Sequence, residues 1–128
     1  MEVIPAIDLR GGRCVRLYQG DFSRETVFSD DPLGMALEWQ EQGAPRLHIV
    51  DLDGASTGVA GNLESIKEIV ANTDIPLQLG GGIRTADAVS DLHEMGVDRL
   101  VVGTMAVENP ELLVDLLRLC EPQTLVVS

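Results

Sequence analysis

The sequence predicts an α/β chain in which four βα units follow one another and a fifth strand closes the series, giving a parallel sheet packed under helices. Three observations carry this expectation. Short β-branched runs alternate with stretches of helical periodicity, which is the pattern of βα units. The 128 residues are 45% apolar but only 3% aromatic, so Leu, Val, Ile and Ala must fill the interior, as buried parallel strands require. The length suits a single domain with a core of its own.

The strands are expected at Glu2 to Asp8 (EVIPAID), Leu47 to Asp51 (LHIVD), Pro76 to Leu79 (PLQL), Arg99 to Val102 (RLVV) and Thr124 to Ser128 (TLVVS). Asp31-Pro32 and Asn109-Pro110 each place a capping residue before a proline in the first turn, which opens the first and fourth helices. Leu33, Ala36 and Leu37 give the first helix an inward face, and Gly43 supplies its stop. Leu63, Ile66, Ile69 and Val70 do the same for the second helix. Thr85 caps the third, whose Val89, Leu92 and Met95 are spaced for burial before Gly96 ends it, and Leu113, Leu116 and Leu117 line the fourth.

The stretch Leu9 to Asp30 is the main irregular region, with a short extended piece at Arg13 to Leu17 between glycine-rich turns. It leaves the carboxyl end of the first strand, the end at which parallel βα folds bind ligands. It reads either as a substrate lid or as a flexible connection. Five parallel strands in barrel geometry cannot close, so their two edges need cover from further chain, from self-association, or by flattening into an open sheet.

A formal charge of −12 with only nine basic residues argues against a nucleic-acid partner, because phosphate backbones are held by clustered Lys and Arg. No apolar run approaches a membrane span and no leader pattern is present, so the expected location is cytoplasmic with no membrane partner. Cys14 and Cys120 stand far apart without metal-ligand spacing and read as inert thiols. His48 and His93 have no nucleophile or ligand cluster at recognisable spacing and read as structural.

Asp8 ends an apolar strand, where a rigid backbone presents the side chain at the mouth of the sheet; it reads as a catalytic group or as the start of a turn. Asp51 repeats that arrangement after the second strand and suits substrate orientation or structural hydrogen bonding. Gly80-Gly81-Gly82 follows the third strand and precedes a helix, so its unhindered N–H groups suit an anion; Gly103-Thr104 offers the same after the fourth. Either turn also has use for glycine on tightness alone. Arg84 lies beside this cradle and either assists it or is a solvated surface group.

VIPAIDLRGGRCVRLYQGD at positions 3 to 21, LHIVDLDGA at 47 to 55 and LGGGIR at 79 to 84 resemble the phosphoribosyl-formimino isomerase family of histidine biosynthesis. Pro5-Ala6-Ile7-Asp8-Leu9 favours the isomerase over the related cyclase, which has Pro-Cys-Leu-Asp-Val there. The resemblance covers the whole chain and implies the (βα)4 half of a TIM (β/α)8 barrel with a partial fifth strand, one half-barrel domain over residues 1 to 128.

It also implies an aminoaldose-to-aminoketose rearrangement of a phosphorylated ribosyl-aminoimidazole, with no cofactor and no metal. Asp8 matches the family's general base. The general acid is a second Asp ending the fifth strand, expected about two residues beyond Ser128. Gly81, Gly82, Gly103 and Thr104 match the phosphate site of this half. A second copy of the chain, or a C-terminal half-barrel, would complete the pair. Two other readings remain open: a non-catalytic half-barrel that oligomerises and binds phosphate or sulfate, and an isomerase lineage that also serves tryptophan synthesis.

Overall fold

The computed structural model describes residues 4–19, 21–57, 61–81, 83, 86–102 and 125–127. Seven strands and four helices are seen among them: β1 (Ala6–Arg10), β2 (Arg13–Tyr18), β3 (Asp21–Ser29), α1 (Pro32–Glu41), β4 (Leu47–Asp51), α2 (Leu52–Thr57), α3 (Leu63–Asn72), β5 (Leu77–Gly80), α4 (Ala86–Met95), β6 (Arg99–Val102) and β7 (Leu125–Val127). The strands form one sheet in the order β3-β2-β1-β4-β5-β6-β7. From β1 through β7 the neighbours β1, β4, β5, β6 and β7 are parallel, whereas β2 and β3 add on antiparallel. The parallel part is the expected partial (βα)4 half of a TIM barrel.

Strand alternation sorts the residues into two faces. Ile7 and Leu9, Leu47 and Ile49, Leu77 and Leu79, and Leu100 are all buried and lie in register across the sheet. Ala36 of α1, Ile66 and Ile69 of α3, and Val89 and Leu92 of α4 join them in one hydrophobic cluster. The opposite face carries Ala6 and Asp8, His48 and Val50, Gln78, and Arg99 and Val101, none of them fully buried. An all-parallel sheet ordinarily has both faces covered, so this second, half-exposed face is the unusual feature of the fold.

Helix ends follow the local chemistry. Asp31 accepts a hydrogen bond from the Gly34 N–H at 3.0 Å, with Pro32 in the first turn. α1 ends on Gly43 at φ 84°, where Gly43 N–H donates to Gln40 O and Ala44 N–H to Trp39 O, the paired bonds of a Schellman stop. α4 ends the same way on Gly96, through Gly96 N–H to His93 O and Val97 N–H to Leu92 O.

Several expectations are corrected. Leu37 is 39% exposed, because the inward stripe of α1 runs through Pro32 and Ala36 with Leu33, Met35 and Trp39 beside it, and Leu37 falls one helical step off that line. The first strand is seen at Ala6–Arg10 and so ends two residues beyond the expected Asp8. Leu9 to Asp30 is not irregular: Gly11 and Gly12, at φ 59° and 78°, form a two-residue turn with positive φ at both positions, and β2 and β3 follow. As a result β1 is not an open edge over Asp8–Arg10, where β2 pairs with it. The short helix α2 was not expected. The fourth helix around Leu113, Leu116 and Leu117 and its Asn109-Pro110 start, the Thr85 cap, and Cys120 lie outside the described residues. No described helix is long and apolar enough to cross a membrane.

Candidate active site on the open sheet face

Asp8 is the middle residue of β1 and lies on the half-exposed face, next to Val50 of β4, one pair before the carboxyl end of that parallel pairing, and opposite Val15 of β2. Val15 is only 2% exposed, so the carboxyl has an apolar wall on its hairpin side. Burial pushes the pKa of Asp8 above its ordinary value, and the charges of His48 and Arg16 partly oppose that rise. The result is a carboxylate that binds a proton more readily than a solvated one, which suits a group that must take a proton and later give it back.

His48 lies on the same face, two positions before Val50 along β4. Burial lowers its pKa, with Asp8 pulling the other way, so the ring favours the neutral form. The Gln78 amide nitrogen is 2.9 Å from His48 Nδ1. Because that amide donates, Nδ1 accepts and the ring proton is left on Nε2. His48 reads as structural on its sequence spacing; strand parity puts it on one face with Val50 and Asp8.

Asp51 is placed differently. Leu9, not Asp8, is its partner across β1 and β4, so Asp51 faces the helices and is 2% exposed. Its Oδ1 accepts from Gly54 N–H at 2.9 Å and from Asn62 Nδ2 at 2.7 Å. Its Oδ2 accepts from Gly61 N–H at 2.9 Å and Asn62 N–H at 3.3 Å. A carboxylate so surrounded by donors holds the loops after β4 together, and the structure does not bring it to the Asp8 face.

Of the expected phosphate cradle only Gly81 is described. It has φ 108°, and a Cβ there would collide with the Asp51 backbone carbonyl, so glycine is required at this position by packing alone. Gly82, Arg84, Gly103 and Thr104 lie outside the described residues. Cys14 is buried and its thiol is pushed up to about 11, by burial first and the Asp31 charge second, which keeps it protonated and unreactive at neutral pH. His93 is exposed in the last turn of α4. Among the described residues no three His, Cys, Asp or Glu converge as metal ligands would.

A parallel βα sheet with one face covered by helices and Asp8 on the other is the layout of half of a βα barrel. The chain belongs to the family described as histidine biosynthesis protein, whose pattern matches residues 2–128. It is 60% identical over 113 residues to a protein of Dehalococcoides mccartyi strain 195, named 1-(5-phosphoribosyl)-5-((5-phosphoribosylamino)methylideneamino) imidazole-4-carboxamide isomerase; the match covers 88% of this chain and 48% of that protein. Identically named proteins of Picosynechococcus sp. (57% over 116 residues, 91% of this chain, 45% of the relative) and Roseiflexus castenholzii (56% over 116 residues, 91% and 49%) are similar too. The chain thus spans about half the length of the curated relatives it matches.

Proposed function

We propose that this chain supplies the first half of an aminoaldose-to-aminoketose isomerase barrel, acting on a phosphorylated ribosyl-aminoimidazole, with Asp8 as the general base. The observation that carries the reading is the position of Asp8: a carboxyl one pair before the carboxyl end of the β1–β4 parallel pairing, on the uncovered face, with burial raising its proton affinity. The names of relatives with 56–60% identity support the substrate class.

The proposed reaction needs two proton-handling groups. An acid protonates the furanose ring oxygen, the C1–O bond breaks, and the amino nitrogen's lone pair forms the Schiff base. Asp8 then takes the proton from C2, the electron pair moves to give the enolamine, and tautomerisation leaves the carbonyl at C2. The other described carboxylate on this face, Glu25 of β3, is paired with Arg10 at 3.5 Å, so the acid comes from outside the described residues, in a C-terminal half or a second copy of the chain. Gly81 and Gly82, with Gly103 and Thr104, form the phosphate subsite of this half, Arg84 assisting.

The test is a chimera in which this chain replaces the matching half of the Dehalococcoides mccartyi relative. It should convert the aminoaldose, and Asp8→Asn should lower kcat by about a thousandfold or more, at the upper part of the range for losing a positioned acid–base group. A folded chimera without turnover sinks the reading. Assaying it on phosphoribosylanthranilate separates the dual-substrate lineage.

The uncovered sheet face favours a second reading for the chain by itself: a phosphate-binding half-barrel that associates with its own copies without catalysing anything. Saturable phosphate binding without turnover by the isolated chain is the expected signature.

A further inference from the structure

We propose that Asn62 is a positioning residue for Asp8: its side chain latches the turn between β1 and β2 to the end of β4, and so holds the strand that walls the carboxyl. The inference deepens the reading of Asp8 as a base and rests on it for its functional meaning.

Asn62 occupies the N-cap of α3, yet its side chain makes no bond to that helix, unlike Asp31 on α1. The capping interaction, which a terminal Asn ordinarily supplies, is forgone. Asn62 is instead 3% exposed and reaches across the sheet end. Its Oδ1 accepts from Gly12 N–H at 2.8 Å, while Nδ2 donates toward Asp51 Oδ1 at 2.7 Å, Asp53 Oδ2 at 2.9 Å and Leu9 O at 3.3 Å. The amide can face only this way, since turning it over would set its oxygen against two carboxylates and its nitrogen against an N–H. Asp53 extends the latch by accepting from Gly11 N–H at 2.8 Å.

Apart from Cys14 and Val15, which are buried, what the latch holds has few ties to the parallel sheet. β2 pairs with β1 over three residue pairs only, Asp8–Val15, Leu9–Cys14 and Arg10–Arg13. Its other neighbour, β3, is exposed from Asp21 through Phe28. The latched glycines lead directly into Arg13, the first residue of β2, and from there to Val15 and Arg16 beside Asp8. The charged and titratable groups acting on Asp8 are Arg16 from β2 and His48 from β4. Releasing the turn lets water reach the carboxyl and moves Arg16 away. The first lowers the proton affinity of Asp8 and the second raises it; burial is the larger influence, so the net change is downward.

The experiment is a carbon-13 NMR titration of the Asp8 carboxyl in the full chain, with amide hydrogen exchange on the same samples. In Asn62→Ala, Asp8 should titrate lower than in the parent, toward the ordinary aspartate range. Amides of the β1–β2 turn should exchange about tenfold faster or more while those of β4 and β5 keep their protection. Asp53→Ala, which removes the Gly11 bond, should shift Asp8 in the same direction by less, and it decides the matter if Asn62→Ala does not fold. Asn72→Ala, at the far end of α3, should leave both readouts unchanged. An unaltered Asp8 titration in a folded latch variant overturns the proposal, because a merely structural Asn62 would lower stability and leave that titration alone. Loss of chimera turnover alone would count against the isomerase reading and not against the latch.

Discussion

In the sequence PAID and LHIVD look like repeats of one device, an Asp ending an apolar strand, yet β1 runs on past Asp8 to Arg10 while β4 stops at Asp51. The register separates them: Asp8 aligns with Val50 and Leu9 with Asp51, so one carboxylate faces the open side and the other the helices. One-residue offsets of this kind arise between strands about forty residues apart and leave no local trace, which is why strand ends were legible and their facing was not. Asp51→Ala should destabilise the chain by about 2–4 kcal/mol in urea unfolding, since it strands several buried donors at once. Asp8→Asn should do the opposite. The fold raises the proton affinity of Asp8, so its stabilising contribution is complete below the unfolded carboxylate's pKa and is lost as pH rises through the folded one. Removing the charge should therefore raise the melting temperature by a degree or so near neutral pH, with little effect in acid. His48 has the reverse sign: its proton affinity is lowered, so its contribution holds above the unfolded imidazole pKa and fades as pH falls through the folded one.

Elements whose signals are local were legible. Asp31 before Pro32, and Gly43 and Gly96 after their helices, all act where the sequence placed them, because caps and stops are decided within a turn. Asp31→Ala should cost about 1 kcal/mol. Gly96→Ala should cost about 1–2 kcal/mol, since φ is 112° and the new Cβ would meet Val70 Cγ1 at 2.9 Å. The hairpin was harder to see. β3, DFSRETVFS, is exposed nearly throughout and so carries no inward apolar alternation to mark it. α2 is six residues with a glycine inside, and depends on the Asp51 carboxylate accepting from Gly54 N–H rather than on helix propensity. Asn62 has no local signal beyond its N-cap position, because its partners at Leu9 and Gly12 lie 53 and 50 residues away.

At the scale of the molecule, the decisive feature is the uncovered face of the sheet. Parallel strands with half-exposed His48, Val50, Gln78 and Val101 on one side are built for burial that these residues do not themselves supply. The chain's match to about half of each relative gives that face its proposed cover, a second half-barrel or another copy. In sedimentation the isolated chain should accordingly exceed the 13.8 kDa of a monomer as concentration rises, and joining it to a C-terminal half should remove that dependence. The most direct test of the whole account follows the C2 hydrogen itself. With aminoaldose deuterated at C2 and the chimeric enzyme, NMR should show the label leaving C2 as ketose forms, with Asp8→Glu retaining part of the rate and Asp8→Asn abolishing it. Loss of the label at an undiminished rate in Asp8→Asn would contradict the assignment of Asp8 as the base.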